Sequence, residues 1–298
     1  MRSVIYDLVM SKNRSASSIR DAVAEAARVL HTAGIVEARQ EAASLLSHLL
    51  GGNRTFVIAH GEDLLSVDQL TAFQRLISRR VLREPLQYIT GHQEFFKLDF
   101  EVTPDVLIPR PETEIVVEAA LDLLNADKRL VIADVGTGSG CIVISLLHEL
   151  PNARAVATDV SLDALAVIRK NAHTHGVSDR LTLMQSDLFS AFPRDAVFSA
   201  IVSNPPYVAA EELAGLQPEV RDYEPLLALM SGDDGLTHIR ILVAQAAAFL
   251  RAGGYLIFEI GFGQSEAVER LIDDKVWKLS EIRSDLQDIP RTFVLQKR

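Results

Sequence analysis

The 298-residue chain is predicted to fold as an α/β protein: a small all-helical N-terminal domain, a β-hairpin linker and a larger, doubly wound domain built on a mainly parallel sheet. Three observations predict it. Apolar residues recur at helical spacing in the first part of the chain, short β-branched runs alternate with amphipathic segments in the rest, and the charge balance changes between the two. Residues 1–85 hold 11 basic and 9 acidic side chains, or +2, which leaves 19 and 31, or −12, for residues 86–298. The total of −10 argues against a general binder of nucleic-acid backbones, since such proteins carry a basic excess.

Residues 18–31, 37–50 and 67–81 are rich in Ala, Leu, Arg and Gln at helical spacing and are separated by breaks at Gly34, at Gly51-Gly52-Asn53 and near Gly61. They form the helical domain, residues 1–84, a structural appendage or a docking module for a partner. In residues 85–108 the alternation of Phe95, Leu98, Phe100 and Val102 predicts a hairpin linker. Over residues 109–298 the strand-like runs are 129–135, 154–160, 180–184, 198–203 and 255–260, with helical segments at 141–150, 162–175 and 236–250 between most of them. Strands alternating with helices imply right-handed crossovers and a parallel sheet. Residues 277–284 and 292–296 are joined by a short turn and predict an antiparallel hairpin at the sheet edge, which brings the sheet to seven strands.

No apolar run approaches the roughly 20 residues of a spanning helix, and residues 1–10 lack the basic, apolar, small-residue order of a secretory signal. Cys141 is the single cysteine, so the expectation is a cytoplasmic protein with no membrane contact and no disulfide. His60, His92 and His148 have no acid or Cys at ligand spacing, and no metal is expected.

The first chemical signature follows the first strand: Asp134, Val135, Gly136, Thr137, Gly138, Ser139, Gly140. Glycines at every second position allow a sharp turn and let a ligand approach the backbone. A dinucleotide site places its third small residue one position later, where this chain has Cys141, so the spacing suits a cofactor without a pyrophosphate, as in S-adenosylmethionine sites. Asp159 ends the next strand 19 residues beyond Gly140, where a carboxylate can accept from both ribose hydroxyls. Its other reading is as the cap of the following helix, a job Ser161 can do equally well. Asp187 follows the third strand and can accept from an adenine amino group, with Leu188 and Phe189 as candidate walls, or can simply close a turn.

The second signature, Asn204-Pro205-Pro206-Tyr207, directly follows the fourth strand, at the sheet edge where open α/β folds bind ligands. Its residue types match one chemistry. A planar NH2 group is a poor nucleophile because its lone pair is delocalised, and what it needs is orientation. The Asn204 side-chain oxygen and the Pro205 carbonyl can each accept one N–H, and proline stiffens both residues. Tyr207 can stack on the planar group. The acceptor class is therefore a planar amide or a nucleobase amine.

Asp134–Gly140 and Asn204–Tyr207 resemble the Rossmann-like class I S-adenosylmethionine-dependent methyltransferases that modify planar nitrogen. Further segments resemble one family among them, the HemK-type N5-glutamine methyltransferases of peptide chain release factors: Pro85–Gly91, Glu94-Phe95-Phe96, Ile108–Glu114 (IPRPETE), Asp234-Gly235-Leu236, and Glu259-Ile260-Gly261 with Gln264. The resemblance runs from about residue 20 to the C-terminus. It implies transfer of a methyl group from S-adenosyl-L-methionine, leaving S-adenosyl-L-homocysteine, to the glutamine of the Gly-Gly-Gln motif, which tunes translation termination. It also implies that residues 1–84 dock the release factor and that the catalytic domain is residues 109–298. Gly136, Thr137, Gly138, Ser139 and Gly140 would line the methionine part, Asp159 the ribose, and Asp187 with Leu188 the adenine; Asn204 would face both cofactor and substrate, and Pro205, Pro206 and Tyr207 would complete the glutamine site. Relatives often carry Trp where this chain has Leu188, and Gly-Gly where it has Ser231-Gly232.

The Arg110–Glu114 segment is either a solvated loop or a lid on the site. The expected partner is a release factor, met by a monomer without direct nucleic-acid contact. The rival is a nucleic-acid amino-methyltransferase acting on adenine N6 or guanine N2, against which the −12 of the catalytic part weighs. A non-enzymatic scaffold with a vestigial loop is opposed by the intact Asn204.

Overall fold

The computed structural model describes residues 17–124 and 130–298. Residues 1–10, read for a secretory pattern, and Arg129, the first residue of the first predicted sheet strand, lie outside the described residues. The described chain divides into two compact units, residues 17–91 with Pro218–Tyr223, and His92–Gln217 with Glu224–Arg298.

The first unit is helical. A short antiparallel pair, β1 (Ser17–Ser18) and β2 (Leu64–Leu65), accompanies α1 (Ile19–Thr32), α2 (Ala38–Leu50), α3 (Arg54–Ala59), α4 (Val67–Val81) and α5 (Leu86–Thr90). The Ser18 hydroxyl accepts from the Asp21 amide and so caps α1, and Ser66 with Gln69 closes a capping box on α4. Leu30, Ala42, Leu45 and Leu46 are wholly buried between these helices, with Phe73 and Ile77 of α4. Pro218–Tyr223 belongs here because Glu219 accepts from Arg80 at 2.9 Å and Arg83 at 2.8 Å, while Tyr223 donates to the Leu82 carbonyl. Arg80 is buried, and Glu41 is its second carboxylate, so its charge is compensated from two sides. The boundary between the units falls at Gly91 and His92 because Pro85–Gly91 is a capped helical turn whose Tyr88 and Ile89 are buried. Reading alternation from residue 85 places that turn in the linker instead.

The second unit opens with the hairpin β3 (His92–Phe95) and β4 (Leu98–Glu101), whose two-residue turn places both Phe96 (φ 48°) and Lys97 (φ 62°) in the left-handed region that matches strand twist. Phe95 and Phe100 are fully buried in the core of this unit. The hairpin is thus part of the sheet domain's packing. After α6 (Glu114–Leu124) come β5 (Val131–Val135), α7 (Cys141–Glu149), β6 (Arg154–Asp159), α8 (Leu162–Thr174), β7 (Leu181–Gln185), β8 (Phe198–Ser203), α9 (Leu226–Leu229), α10 (Thr237–Gln245), β9 (Leu250–Glu259), α11 (Ser265–Glu269), β10 (Trp277–Ser284) and β11 (Pro290–Lys297).

The seven strands lie in the order β10-β11-β9-β8-β5-β6-β7, parallel from β7 to β9 and antiparallel for β11 and β10. Strand order reverses between β5 and β8, which opens a crevice outside their carboxyl ends. Apolar side chains alternate along β5, with Ile132 packing in one core layer and Ala133 and Val135 in the other, so both faces of the sheet are covered. Among the described residues no helix is long and apolar enough to cross a membrane, and no three His, Cys, Asp or Glu side chains come together in a metal-holding group.

Candidate active site

A cavity of about 250 Å³ lies at the strand reversal and is lined by residues following β5, β6, β7 and β8. Gly136, Thr137, Gly138 and Ser139 form one wall, Asp159, Asp187 and Leu188 a second, and Asn204 with Pro206 a third. Gly140, Pro205 and Tyr207, also expected at the site, do not line it.

The glycine loop is held by its neighbours. The Gly136 and Thr137 amides both donate to the Thr158 carbonyl at 2.9 Å. Gly136 and Gly138 have positive φ (74° and 55°), and a Cβ built on either would meet nothing within 4 Å, so the loop turns bare backbone to the cavity. Gly140 serves packing instead: a Cβ there would come within 2.4 Å of the Ile168 side chain. Asp134 is wholly buried; Thr137 donates to its Oδ2 at 2.7 Å, its Oδ1 has no partner among the described residues, and burial pushes its carboxyl up to about 7.

Asp159 is oriented by two backbone donors, with Gly138 N 2.9 Å from Oδ2 and Ser161 N 2.9 Å from Oδ1. Burial raises its pKa, and these donors oppose the rise. Ser161 itself caps α8, accepting from the Ala164 amide, so the capping role does not fall to Asp159. Each Asp159 oxygen keeps lone pairs for further donors. Asp187 is exposed, and Leu188 follows with φ 45°, a conformation that costs an L residue of this size about 1–2 kcal/mol. Phe189 is buried and stacked with Phe249 at 5.3 Å between ring centres, so Leu188 is the apolar wall at this end.

Opposite stands the Asn204 loop, pinned from several directions. Ser203 at the end of β8 donates to the Val135 carbonyl at 2.6 Å and ties this loop to the glycine loop. Gln264 donates to the Tyr207 carbonyl at 2.9 Å while its own side-chain oxygen accepts from Gly261 N. Gly235 (φ 73°) backs the same carbonyl so closely that a Cβ would lie 2.4 Å from it. The Asp234–Leu236 and Glu259–Gly261 segments, which sequence reading singled out without a role, therefore converge on one loop. Asn204 donates through Nδ2 to Thr113 Oγ1 at 3.0 Å, and Thr113 donates to Glu259 Oε2 at 2.6 Å. Tyr207 is the other hydroxyl on Glu259, whose carboxyl burial pushes up to about 7 against the pull of these hydrogen bonds. Burial, together with the Glu259 charge, raises the Tyr207 phenol well above its ordinary value. Asn204 Oδ1 is buried and, among the described residues, accepts from nothing.

Sequence reading misses several wall residues. Thr113 lines the cavity next to Asn204, and Arg110 in the same segment pairs with buried Glu224, so this stretch is a fixed wall. His238 lines the cavity near Asp187; burial lowers its pKa and the Asp187 charge opposes that. Ser231 Oγ accepts from the His238 amide and lies 2.8 Å from His238 Nδ1. Ser231 thus holds this imidazole. Cys141 also borders the cavity as a thiol pushed up to about 12 by burial, which keeps it unreactive.

Residues 21–91 match the family model described as the PrmC N-terminal domain, and residues 113–216 match the methyltransferase small domain. The chain is 47% identical over 254 residues to a release factor glutamine methyltransferase of Moorella thermoacetica, covering 85% of this chain and 89% of that protein. It is 46% identical over 235 residues to one of Geobacter sulfurreducens, covering 79% and 81%. Among solved structures, the hMettl16 catalytic domain in complex with a 3'UTR hairpin superposes with a TM-score of 0.55 at 18% identity, over 74% of this chain and 81% of that one. A methyltransferase from Pyrococcus furiosus gives 0.50 at 17% identity, over 68% and 90%. At such identities the two structures speak for the fold alone.

Proposed function

We propose a reaction from the premise that this chain belongs to the family of release factor glutamine methyltransferases: it methylates the side-chain amide nitrogen of the Gly-Gly-Gln glutamine in peptide chain release factors. The observation that carries the reading to particular atoms is the Asn204 amide. Its NH2 is committed to Thr113, and its oxygen is buried with no donor on it. An unsatisfied buried acceptor costs roughly 1–3 kcal/mol, a cost that an incoming N–H removes. In this reading Asn204 Oδ1 takes one amide hydrogen, and the carbonyl of Pro205, which is next in the loop although outside the cavity lining, takes the other, which leaves the nitrogen lone pair directed along the remaining axis. Pro206 lines the cavity beside Asn204, and Tyr207, outside the lining, is held through its hydroxyl on Glu259 and its carbonyl on Gln264, which fixes the loop. No general base is needed to set up the attack: the carbon–nitrogen bond forms as the carbon–sulfur bond breaks, the acidified nitrogen then releases one proton to solvent, and these contacts act through orientation and exclusion of water.

The other wall fits S-adenosylmethionine. Bare glycine backbone, a carboxylate fixed by two amides and a second, exposed carboxylate beside an apolar side chain suit the methionine, ribose and adenine parts in turn. When bound, that cofactor supplies an electrophilic methyl group on a sulfonium. The Asp159 carboxylate, held beside the loop by two amides, adds negative charge that favours a cation there.

The helical unit is the candidate docking module for the release factor, and the acidity of residues 86–298 suits a partner whose own surface meets RNA. We assign the protein to the cytoplasm, as a monomer with no direct nucleic-acid contact, on its charge and its lone buried cysteine. The test is methyl transfer from labelled S-adenosylmethionine to a release factor, to the same factor with its glutamine replaced, and to DNA and ribosomal RNA. Label is expected on the first alone. Label on nucleic acid, or on the glutamine-free factor, would overturn the assignment.

A further inference from the structure

We infer that Thr113 and Glu259 are positioning residues that decide which end of the Asn204 amide meets the substrate. The inference rests on the reading that Asn204 accepts from the glutamine amide, and it asks what holds Asn204 that way round. An asparagine amide is nearly symmetric in shape, so packing alone does not distinguish its oxygen from its nitrogen. Polarity does.

Glu259, 2% exposed at the end of β9, faces two hydroxyls, those of Thr113 and Tyr207, with Arg291 and Glu112 acting on it at longer range. Above about pH 7, the value to which burial pushes it, the Glu259 carboxyl is ionised and has no hydrogen to give. Thr113, 1% exposed, therefore spends its one hydrogen on Glu259 Oε2 at 2.6 Å, and its oxygen can only accept from its other neighbour. That neighbour is the Asn204 side chain at 3.0 Å, so the atom facing Thr113 must be Nδ2 and the atom turned away must be Oδ1. Reversing the amide would set two lone pairs against each other, either at Thr113 or at Glu259. A donor-only end toward the substrate amide would repel its N–H groups, so this relay separates a competent loop from an incompetent one without touching the substrate nitrogen. The two ends of the relay lie 146 positions apart in sequence, in the Pro-Glu-Thr and Glu-Ile-Gly segments, and this shared task accounts for their presence together.

The experiment compares the full-length wild type with Thr113→Val, Thr113→Ser and Thr113→Ala at about pH 8, above the value of about 7 to which burial pushes the Glu259 carboxyl. Readouts are kcat and KM for release factor methylation and the 15N side-chain NH2 signals of Asn204 in the cofactor-free protein, assigned by their loss in Asn204→Ala. Thr113→Val keeps the shape and removes the acceptor. It is expected to lower kcat roughly 10- to 100-fold with the cofactor KM within about threefold of wild type, and to shift the Asn204 NH2 signals. Thr113→Ser is expected to recover most of the lost turnover and the wild-type NH2 shifts. If Thr113→Val does not fold, Thr113→Ala is read by the same criteria. Turnover within twofold of wild type in the folded variant, or unmoved Asn204 NH2 signals, would overturn the relay. A wild type that leaves the release factor glutamine unmethylated would instead sink the functional reading, and the NH2 signals would still report on the relay.

Discussion

The two walls of the cavity are built in opposite ways. On the glycine-loop side, most of the side-chain support is shorter in range: Asp159 is fixed by an amide 2 residues ahead and another 21 behind, Thr137 reaches Asp134 across 3 and Asn171 reaches the Ser139 carbonyl across 32, while the Ser203–Val135 tie across 68 is shared by both walls. On the Asn204 side every supporting bond is remote, with Thr113 91 residues away from Asn204 and Gln264 57 away from Tyr207. The walls also differ in what is left over. Of two polar side chains that line the cavity on opposite walls, Asp159 has a donor on each oxygen, whereas Asn204 has a buried oxygen without one among the described residues; Asp134 Oδ1, likewise without one, lies beneath the glycine loop and does not line the cavity. A wall that only has to hold a cofactor can be satisfied in advance; a wall that has to recognise an amide N–H keeps an acceptor in reserve.

That contrast can be broken most severely at the reserved acceptor. Asn204→Ala is expected to lower kcat by roughly 10²- to 10³-fold, as removal of one preorganised polar group does, while calorimetry shows cofactor affinity nearly unchanged. Unaltered turnover would remove Asn204 from the reaction. Gly235→Ala attacks the same wall from behind, because its Cβ would sit 2.4 Å from the Tyr207 carbonyl. Turnover should fall roughly tenfold or more as the loop is displaced, and thermal melting should show a loss on the order of 1–3 kcal/mol. On the opposite wall, Asp159→Ala should weaken cofactor binding by about 10- to 100-fold, the worth of one or two charge-assisted hydrogen bonds, with a smaller effect on kcat at saturating cofactor. An equal fall in kcat at saturation would mean that the walls are not separable.

A smaller effect is expected at the adenine end. Ser231→Gly restores the residue common among relatives and frees His238; cofactor affinity should fall about three- to tenfold, with His238→Ala matching it, as for one neutral hydrogen bond. The last effect is on stability and leaves the contrast between the walls untouched. Burial raises the Asp134 carboxyl to about 7, so protonation is favoured by the folded state. The stability this group contributes is complete below its unfolded value near 4 and is lost as pH rises through about 7. Asp134→Asn should therefore flatten the pH dependence of unfolding between about pH 5 and 7, by at most on the order of 1 kcal/mol per pH unit.

The difference in range also explains what could be read in the sequence. Five parallel strands, the terminal hairpin and the large helices follow from apolar periodicity, and the Gly136–Gly140 loop with Asp159 follows from spacing because its bonds are local. The helical turns Arg54–Ala59 and Leu86–Thr90 are too short for a period to show, and the second is set by its Pro85 and Gly91 ends. Gly140 looks like a ligand glycine in sequence, but packing against Ile168 is what demands it. Thr113 and Glu259 belong to segments that a family resemblance marks, yet nothing local says that a threonine and a glutamate 146 positions apart share a hydrogen. His238 carries no motif, and only its contact with Ser231 gives meaning to the departure from Gly-Gly.

The central claim is that the Asn204 oxygen takes a hydrogen of the release factor glutamine. The most direct measurement is mass-spectrometric mapping of the methyl group on a release factor incubated with cofactor and either wild-type protein or Asn204→Ala. The expected result is one methyl on the glutamine amide nitrogen with the wild type and almost none with Asn204→Ala. A methyl elsewhere on the factor, or undiminished glutamine methylation by Asn204→Ala, would contradict it.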